Sequence, residues 1–311
     1  MSAILVVKLG ALGDFVQATG PMRAIRAHHP GARLDLLTTA PLLPLARALG
    51  LFDGIILDDR PPLWRVDRWF GLRARLRAGA YDRVYDLQTS DRSGWYFRLM
   101  RRDGGPEWSG IAAGCSHPHA NPRRDHMHTI DRQADQLAMA GIATVPPPDL
   151  SGLVPPALGL PAGTVLMVPG GAAHRPAKRW PHFAELAGRL AAAGRRCVVL
   201  GGPGDPAIAG AIDRRGTTSL LDLVALGQSA AAAVGNDTGP MHVLAAAGCP
   251  SLVLFSAASD PALCAPRGRH VAVLRQAVLA ELPVAAVEAA LARLLDPPHP
   301  AAPAMDEYRR E

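Results

Sequence analysis

Lysine is nearly absent from this chain of 311 residues: of 33 basic residues only Lys8 and Lys178 are lysine, and the rest are arginine. A lysine kept in an arginine-using chain is a candidate for a role that needs a compact ammonium. Aromatic residues make up 5% and charged residues 19%, and long polar tracts are missing, so disorder is expected only in the tail from Pro297 to Glu311. The four cysteines, Cys115, Cys197, Cys249 and Cys264, have no CxxC spacing, which leaves no paired-thiolate site. Cys197 and Cys249 sit in or beside apolar runs, so free buried thiols in a reducing compartment are expected. No run reaches the ~18 apolar residues of a spanning helix. Met1–Lys8 has neither the basic segment nor the long apolar stretch of a secretory signal. A soluble cytoplasmic protein is the expectation.

The net charge is +6, spread over the chain: residues 1–150 carry 19 Lys/Arg against 15 Asp/Glu, and residues 151–311 carry 14 against 12. An anionic partner of the first half is mildly favoured, and the even spread speaks against nucleic acid.

What is present is a strand–helix alternation, run twice. Ile4–Lys8 is a short apolar run of the kind a buried parallel strand shows. Phe15, Ala18, Met22, Ile25 and His29 recur at helical spacing, with Asp14 as the expected N-cap and Pro30-Gly31 as the stop. Strands are predicted at Arg33–Thr38, Gly54–Leu57 and Tyr81–Leu87, and helices at Pro41–Leu49 and Ile130–Ala140. Thr144 to Pro161 holds six prolines and reads as a linker. The alternation restarts with strands Thr164–Val168, Arg196–Leu200, Ala230–Val234, Ser251–Phe255 and Val271–Leu274. Its helices are expected at Trp180–Ala193, through Ile208, from Met241 to Ala247, and at Val284–Leu295. The reading is α/β: two Rossmann-like, doubly wound parallel-sheet domains, 1–150 and 160–296, facing across a cleft, with a flexible tail at 297–311. Ligands of such sheets bind at the carboxyl ends of the strands, so the cleft is the expected active site.

Four turns carry chemistry. Lys8-Leu9-Gly10-Ala11-Leu12-Gly13-Asp14 joins the first strand to the first helix. Gly10 and Gly13 permit a tight turn and close approach of a ligand, yet neither GxGxxG nor GK[ST] is present. Asp14 is a candidate general base facing the cleft, or a plain helix cap. Pro169-Gly170-Gly171-Ala172-Ala173-His174-Arg175-Pro176-Ala177-Lys178-Arg179 delivers Lys178, and with it Arg179, to a diphosphate. Gly201-Gly202-Pro203-Gly204-Asp205 ends in an acid suited to ribose hydroxyls or to capping. In Asn236-Asp237-Thr238-Gly239-Pro240-Met241-His242 a helix start gathers the N–H groups of Thr238 and Gly239, the Thr238 hydroxyl and the His242 imidazole, with Asp237 fixing the loop or orienting His242. Such a point attracts phosphate. Together these turns fit an enzyme that breaks a sugar–diphosphate bond.

Two other stretches compete for attention. His117, His119, His126 and His128 crowd into one Pro- and Arg-rich segment without regular ligand spacing, which reads as a flexible loop lining the acceptor side rather than a metal site. Leu63–Arg77 interleaves aromatic and apolar residues with five arginines. A solvated helix has that composition, and so does a helix lying on an anionic lipid surface.

The motifs at 8–14, 178–181 (Lys-Arg-Trp-Pro), 201–205 and 237–242 occur in an order that resembles the ADP-heptose:lipopolysaccharide heptosyltransferase family, glycosyltransferase family nine, of the GT-B fold. The resemblance runs from Ile4 to about Leu295. It implies transfer of a heptose from a nucleotide-diphosphate donor such as ADP-heptose to a lipopolysaccharide core acceptor, with inversion and with no metal or other cofactor. It implies Asp14 as base, Lys178 as the phosphate-binding lysine, Thr238, Gly239 and His242 as the phosphate-binding turn, and Asp205 as the ribose-binding acid. Asp237, Gly170 and Gly171 join the donor side, and Lys8, Gly10 and Gly13 the acceptor side. The first domain would bind the acceptor and the second the nucleotide-sugar, with cleft closure excluding water. The expected partners are the nucleotide-sugar and an anionic glycolipid, with peripheral contact at the cytoplasmic face of the inner membrane. Here Gly10-Ala11 and Ala172-Ala173 stand where the family often has hydroxyl residues. A sugar-nucleotide epimerase on the same fold and a non-catalytic nucleotide-sugar-binding protein are the alternatives.

Overall fold

The computed structural model describes residues 2–62, 64–101, 104–172, 175–268 and 270–296. The expected tail at 297–311 and two residues of the lysine loop, Ala173 and His174, lie outside the described residues.

Short apolar strands separated by helices leave one stable solution, a sheet covered on both faces. The chain builds it twice. In the first lobe the strands are β1 (Ala3–Val7), β2 (Arg33–Thr38), β3 (Gly54–Leu57), β4 (Arg83–Asp86), β5 (Glu107–Gly110) and β6 (His117–Pro118). Its helices are α1 (Leu12–Gln17), α2 (Thr19–His28), α3 (Leu43–Ala48), α4 (Val66–Ala78), α5 (Asp91–Met100) and α6 (Thr129–Met139). In the second lobe the strands are β7 (Val165–Val168), β8 (Cys197–Val199), β9 (Ile212–Asp213), β10 (Ala232–Asn236), β11 (Ser251–Phe255) and β12 (Val271–Arg275). The helices there are α7 (Phe183–Ala192), α8 (Leu220–Ser229), α9 (Gly239–Ala246), α10 (Pro261–Cys264) and α11 (Val284–Leu295).

The sheets run β3-β2-β1-β4-β5-β6 and β9-β8-β7-β10-β11-β12, all parallel, so both lobes wind their strands in the same order. The order reverses between β1 and β4 in one lobe and between β7 and β10 in the other. Those switch points open the crevices in which doubly wound sheets bind ligands. All the residues of β1, β7, β10 and β11 are buried, as strands covered on both faces must be.

Two local expectations are corrected. No helix passes through Ile208: Gly201, Gly202, Pro203, Gly204, Pro206 and Gly210 break the segment into turns that lead to the two-residue strand β9. Asp14 is not the N-cap of α1. The helix begins two residues earlier, with Ala11 as N-cap, and Asp14 falls inside its first turn. Cys115, Cys197 and Cys249 are buried and free, and Cys264 is half-buried and free.

The Pro-rich connection carries no helix or strand, yet it is pinned between the lobes. Leu150 is buried and its N–H donates to the Ala246 carbonyl at 2.7 Å. A Cβ on Gly20 would land on the carbonyl oxygen of Pro146. One apolar cluster runs unbroken from Ile4, Phe15 and Leu45 to Leu166, Met241 and Leu244, so the lobes share a core where they touch. Gly20→Ala should therefore destabilise the chain by about 1–3 kcal/mol through overpacking against backbone. In calorimetry the melting temperature should fall by about 2–5 °C. An unchanged transition would mean that the connection does not pack on α2.

Candidate active site

The site is assembled by two helix starts, one from each lobe. Thr238 is extended and Pro240 sits in the first turn of α9, a position where a missing N–H costs nothing. This start lies against the start of α1, closely enough that glycine is required on both sides. A Cβ on Gly13 would stand 2.7 Å from His242 Cδ2, and one on Gly239 would stand 2.9 Å from Leu12 Cβ. Gln17 locks the contact: its amide nitrogen lies 3.0 Å from the Cys264 carbonyl and 3.1 Å from His242 Nδ1. The carbonyl demands a donor, so the amide orientation follows. Nδ1 then accepts, and the neutral ring carries its proton on Nε2. Burial drives the His242 imidazole down to about 4, against the pull of the nearby Asp237 and Asp14 carboxylates.

Lys178, at the end of a single 3₁₀ turn, places Nζ 2.6 Å from Asp237 Oδ2, and both side chains are largely buried. Asp237 thus holds the lysine, which leaves two ammonium protons for an anion. Asn236, fully buried at the end of β10, fastens the lysine loop. Its Oδ1 accepts from Trp180 N at 3.0 Å, and its Nδ2 donates to the carbonyls of Pro169 (2.8 Å) and Gly170 (3.1 Å). Arg179 donates to the Gly171 carbonyl at 2.6 Å and so braces the loop. Thr238 Oγ1 donates to Asn236 O at 3.2 Å and does not cap α9.

Asp14 extends from the first turn of α1, and among the described residues no hydrogen bond reaches its carboxylate. It acts electrostatically on Lys8, Arg132, His242 and Cys264. His242 and Cys264 also feel Asp237 and Lys178. The acid of the first lobe and the Lys178–Asp237 ion pair of the second therefore act on the same two groups. Burial, then Asp237, raises the Cys264 thiol to about 11, so it is not a nucleophile at neutral pH.

Two cavities flank this site. The larger, about 520 Å³, lies against the first lobe and is lined by Leu9–Leu12, Thr39–Leu42, Asp58–Arg60 and Leu220. The smaller, about 340 Å³, lies in the second lobe between Gly170–Ala172, Gly201, Gly202, Asp205, Thr218, Thr238 and Pro240. Leu12 and Leu220 wall both. Asp14 lines neither cavity; it lies in the same helix turn as Leu12, which walls both. Asp205 Oδ2 accepts from Gly202 N at 2.7 Å, so part of that carboxylate shapes its own turn. Gly170 has no room for a side chain beside it.

Lys8 is buried behind its loop rather than on a cavity wall. Its Nζ donates to the Leu87 carbonyl at 3.0 Å, and burial lowers it to about 8 against the pull of Asp14 and Asp86. Asp86 is raised by burial to about 6. Its Oδ1 accepts from Gln88 N and Thr89 N at 3.0 and 2.9 Å. Gln88 Oε1 in turn accepts from Leu9 N at 2.9 Å, which ties the first loop to β4.

Within the histidine segment, His128 reaches across to the second lobe while His119 pairs inside the first. His119 Nε2 lies 2.8 Å from Asp135, and His128 caps α6 while its Nε2 donates to Ala265 O at 3.0 Å. Among the described residues no cluster of His, Cys, Asp and Glu has the arrangement of a metal site. Asn236, Gln17 and Arg132 escaped the sequence reading. Only Asn236 left a signal, a polar residue at the end of an apolar strand directly before Asp-Thr-Gly.

The His242 environment yields a pH test. Its folded value lies near 4 and the free imidazole near 6.5. As pH falls, the unfolded chain takes the proton first. Stability is therefore full above the free value and is lost towards the folded one, by on the order of 3 kcal/mol. In His242→Asn the melting temperature should vary less across that window than in the parent chain. An unchanged pH slope would contradict the buried neutral imidazole.

With the geometry established, the comparisons with known proteins give its affiliation. The model of glycosyltransferase family 9 (heptosyltransferase) matches residues 69–284. The lipooligosaccharide heptosyltransferase 2 of Haemophilus ducreyi is 25% identical over 313 residues, covering 88% of each chain. The crystal structure of a family 9 glycosyl transferase from Veillonella parvula superposes with a TM-score of 0.81 at 21% identity, over 94% of this chain and 97% of that one. That of the Escherichia coli ADP-heptose lps heptosyltransferase II gives 0.72 at 24% identity, over 95% and 98%. The two doubly wound lobes are the GT-B architecture. The chain belongs to glycosyltransferase family 9 and is a glycosyltransferase.

Proposed function

We propose that this chain is an inverting, metal-independent heptosyltransferase that moves a heptose from ADP-heptose to an anionic lipopolysaccharide core acceptor at the cytoplasmic face of the inner membrane. The observation that carries this reading is that Asp14 and the Lys178–Asp237 pair act on the same two groups, His242 and Cys264. The names of its relatives, a lipooligosaccharide heptosyltransferase and an ADP-heptose lps heptosyltransferase, support the choice of sugar and nucleotide.

In this reading the second lobe, 160–296, holds the donor. The glycine loops at Gly170-Gly171 and Gly201-Gly202 accept the nucleotide in the smaller cavity, with Asp205 beside its ribose. Lys178 and the N–H groups at Thr238 and Gly239 face the diphosphate. The ammonium and the helix start supply the positive charge needed as the leaving group departs. The first lobe, 1–150, holds the acceptor against Gly10 and Ala11 in the larger cavity. Asp14 takes the proton of the attacking hydroxyl, whose oxygen bonds to the anomeric carbon as the bond to the diphosphate breaks on the opposite face. Gly13 and His242 keep the two helix starts in register, and Lys8 holds the first loop from beneath.

Asp14→Asn should lower kcat by about 10²–10⁴-fold and leave ADP affinity, measured calorimetrically, unchanged. Equal loss of both would remove Asp14 from the base role. Lys178→Met should weaken ADP binding by about 10–100-fold, the worth of a hydrogen bond to a charged group. In a thermal-shift series of nucleoside diphosphates and their sugar derivatives, the ADP compounds should raise the melting temperature most. A larger shift with a uridine or guanosine compound would overturn the donor assignment.

A further inference from the structure

The first lobe carries a surface that the transfer reaction does not use. Helices α4 and α5 leave a groove of about 330 Å³ between them, lined by Val66, Trp69, Trp95 and Leu99. An adjoining hollow adds Phe70, Arg73 and Arg98. Trp64 is 78% exposed, Phe70 60%, Val66 54% and Trp95 44%. Of the five tryptophans, Trp69 and Trp95 line this groove, Trp64 is exposed two residues before Val66, and Trp108 and Trp180 are buried. In a chain this poor in aromatics, such a concentration in contact with solvent marks an interaction surface.

Arginines outnumber carboxylates around it, and not all of them are paired. Arg65 pairs with Asp67 and Arg68 with Asp59, but among the described residues Arg73 and Arg98 have no carboxylate partner. The Arg98 guanidinium lies over the Trp95 ring at 4.8 Å, which keeps cation and indole together at the rim. Indole and phenyl groups that insert at the level of headgroups, flanked by unpaired guanidinium groups, match the two layers of an anionic bilayer. A two-fold-related copy of the chain would set these arginines against each other, which disfavours a homodimer through this face.

The surface is also linked to the larger cavity by a chain of side-chain contacts. Asp58 lines that cavity and accepts from Arg92 Nε at 3.0 Å. The Arg92 guanidinium lies 5.0 Å from the centre of the Trp69 ring, which walls the groove. The buried hydroxyl of Tyr96 donates to the same Asp58 carboxylate, so the partition between cavity and groove is rigid.

We propose that the α4–α5 face docks on an anionic lipid bilayer and sets the acceptor cavity beside the membrane. Lipid binding stands apart from the reaction, while the benefit to the acceptor rests on the function proposed above. The test is co-sedimentation of the full chain, without donor, with vesicles of phosphatidylglycerol and phosphatidylethanolamine and with vesicles of phosphatidylcholine alone. The parent chain should bind the anionic vesicles and lose binding as salt rises. The double variant Phe70→Ser with Trp95→Ser, and separately Arg73→Glu with Arg98→Glu, should each lower the bound fraction by about tenfold. ADP affinity should stay unchanged in both. Equal binding to neutral vesicles, no binding by the parent chain, or retention of binding in both variants would overturn the proposal. So would self-association of the parent chain that Phe70→Ser with Trp95→Ser abolishes, since the face would then be an interface between copies.

Discussion

The approach of α1 to α9 is the constraint on which the site depends. Gly13 and Gly239 leave no room between the two helix starts, and Gln17 bridges them to His242 and the Cys264 carbonyl. Any side chain at either glycine would drive the helices apart, and with them the carboxylate of one lobe from the ammonium of the other. The neutrality of His242 follows from the same contact. A ring packed against Gly13 and Gln17 is shut off from water, and desolvation outweighs the attraction of two carboxylates.

Charge is placed in layers around this contact. Asp237 and Asn236 follow one another at the end of β10 and divide the work: the carboxylate fixes the ammonium of Lys178, and the amide fixes the loop that delivers it. Asp237 at once neutralises and positions Lys178, so a bound diphosphate would meet a cation already in place rather than one that must be ordered. In the first lobe Lys8 and Asp86 stand at the ends of adjacent strands, both buried and both pulled towards their neutral forms. They stitch the first switch point together, while Asp14 makes no side-chain hydrogen bond among the described residues.

The repeated strand order builds two like frameworks with unlike loops. Each switch point opens a crevice, but the loops differ: glycine-rich and braced by Asn236 and Arg179 in the second lobe, short and backed by Lys8 in the first. The connection at 144–161 is pressed between the lobes through Leu150 and Gly20. It behaves as part of the interface rather than as a free tether, despite its prolines.

Much of this was legible in the residues. Val284–Leu295 is a helix as the spacing of Val284, Val287, Leu291 and Leu294 requires, and the apolar runs became strands, because burial patterns with a period are local information. The Gly-rich and Asp-Thr-Gly-Pro turns could be placed between strand and helix for the same reason. Helix α8, apolar on most faces, and strands β5, β6 and β9, only two to four residues long, carry no such period and were not foreseen. The helix start at Leu12 was misplaced because Asp14 is a good cap in isolation, yet the packing of Gly13 on His242 sets the register. Sequence alone determined the two α/β lobes, because the alternation of apolar strands and amphipathic helices is local information. Tertiary structure alone decided that Asp237 holds Lys178, that burial pushes the His242 imidazole towards its neutral form, that Asp14 acts on the same groups, and that Trp69 and Trp95 share one open groove. These are relations between residues tens to hundreds of positions apart, and no local pattern encodes the distance between them.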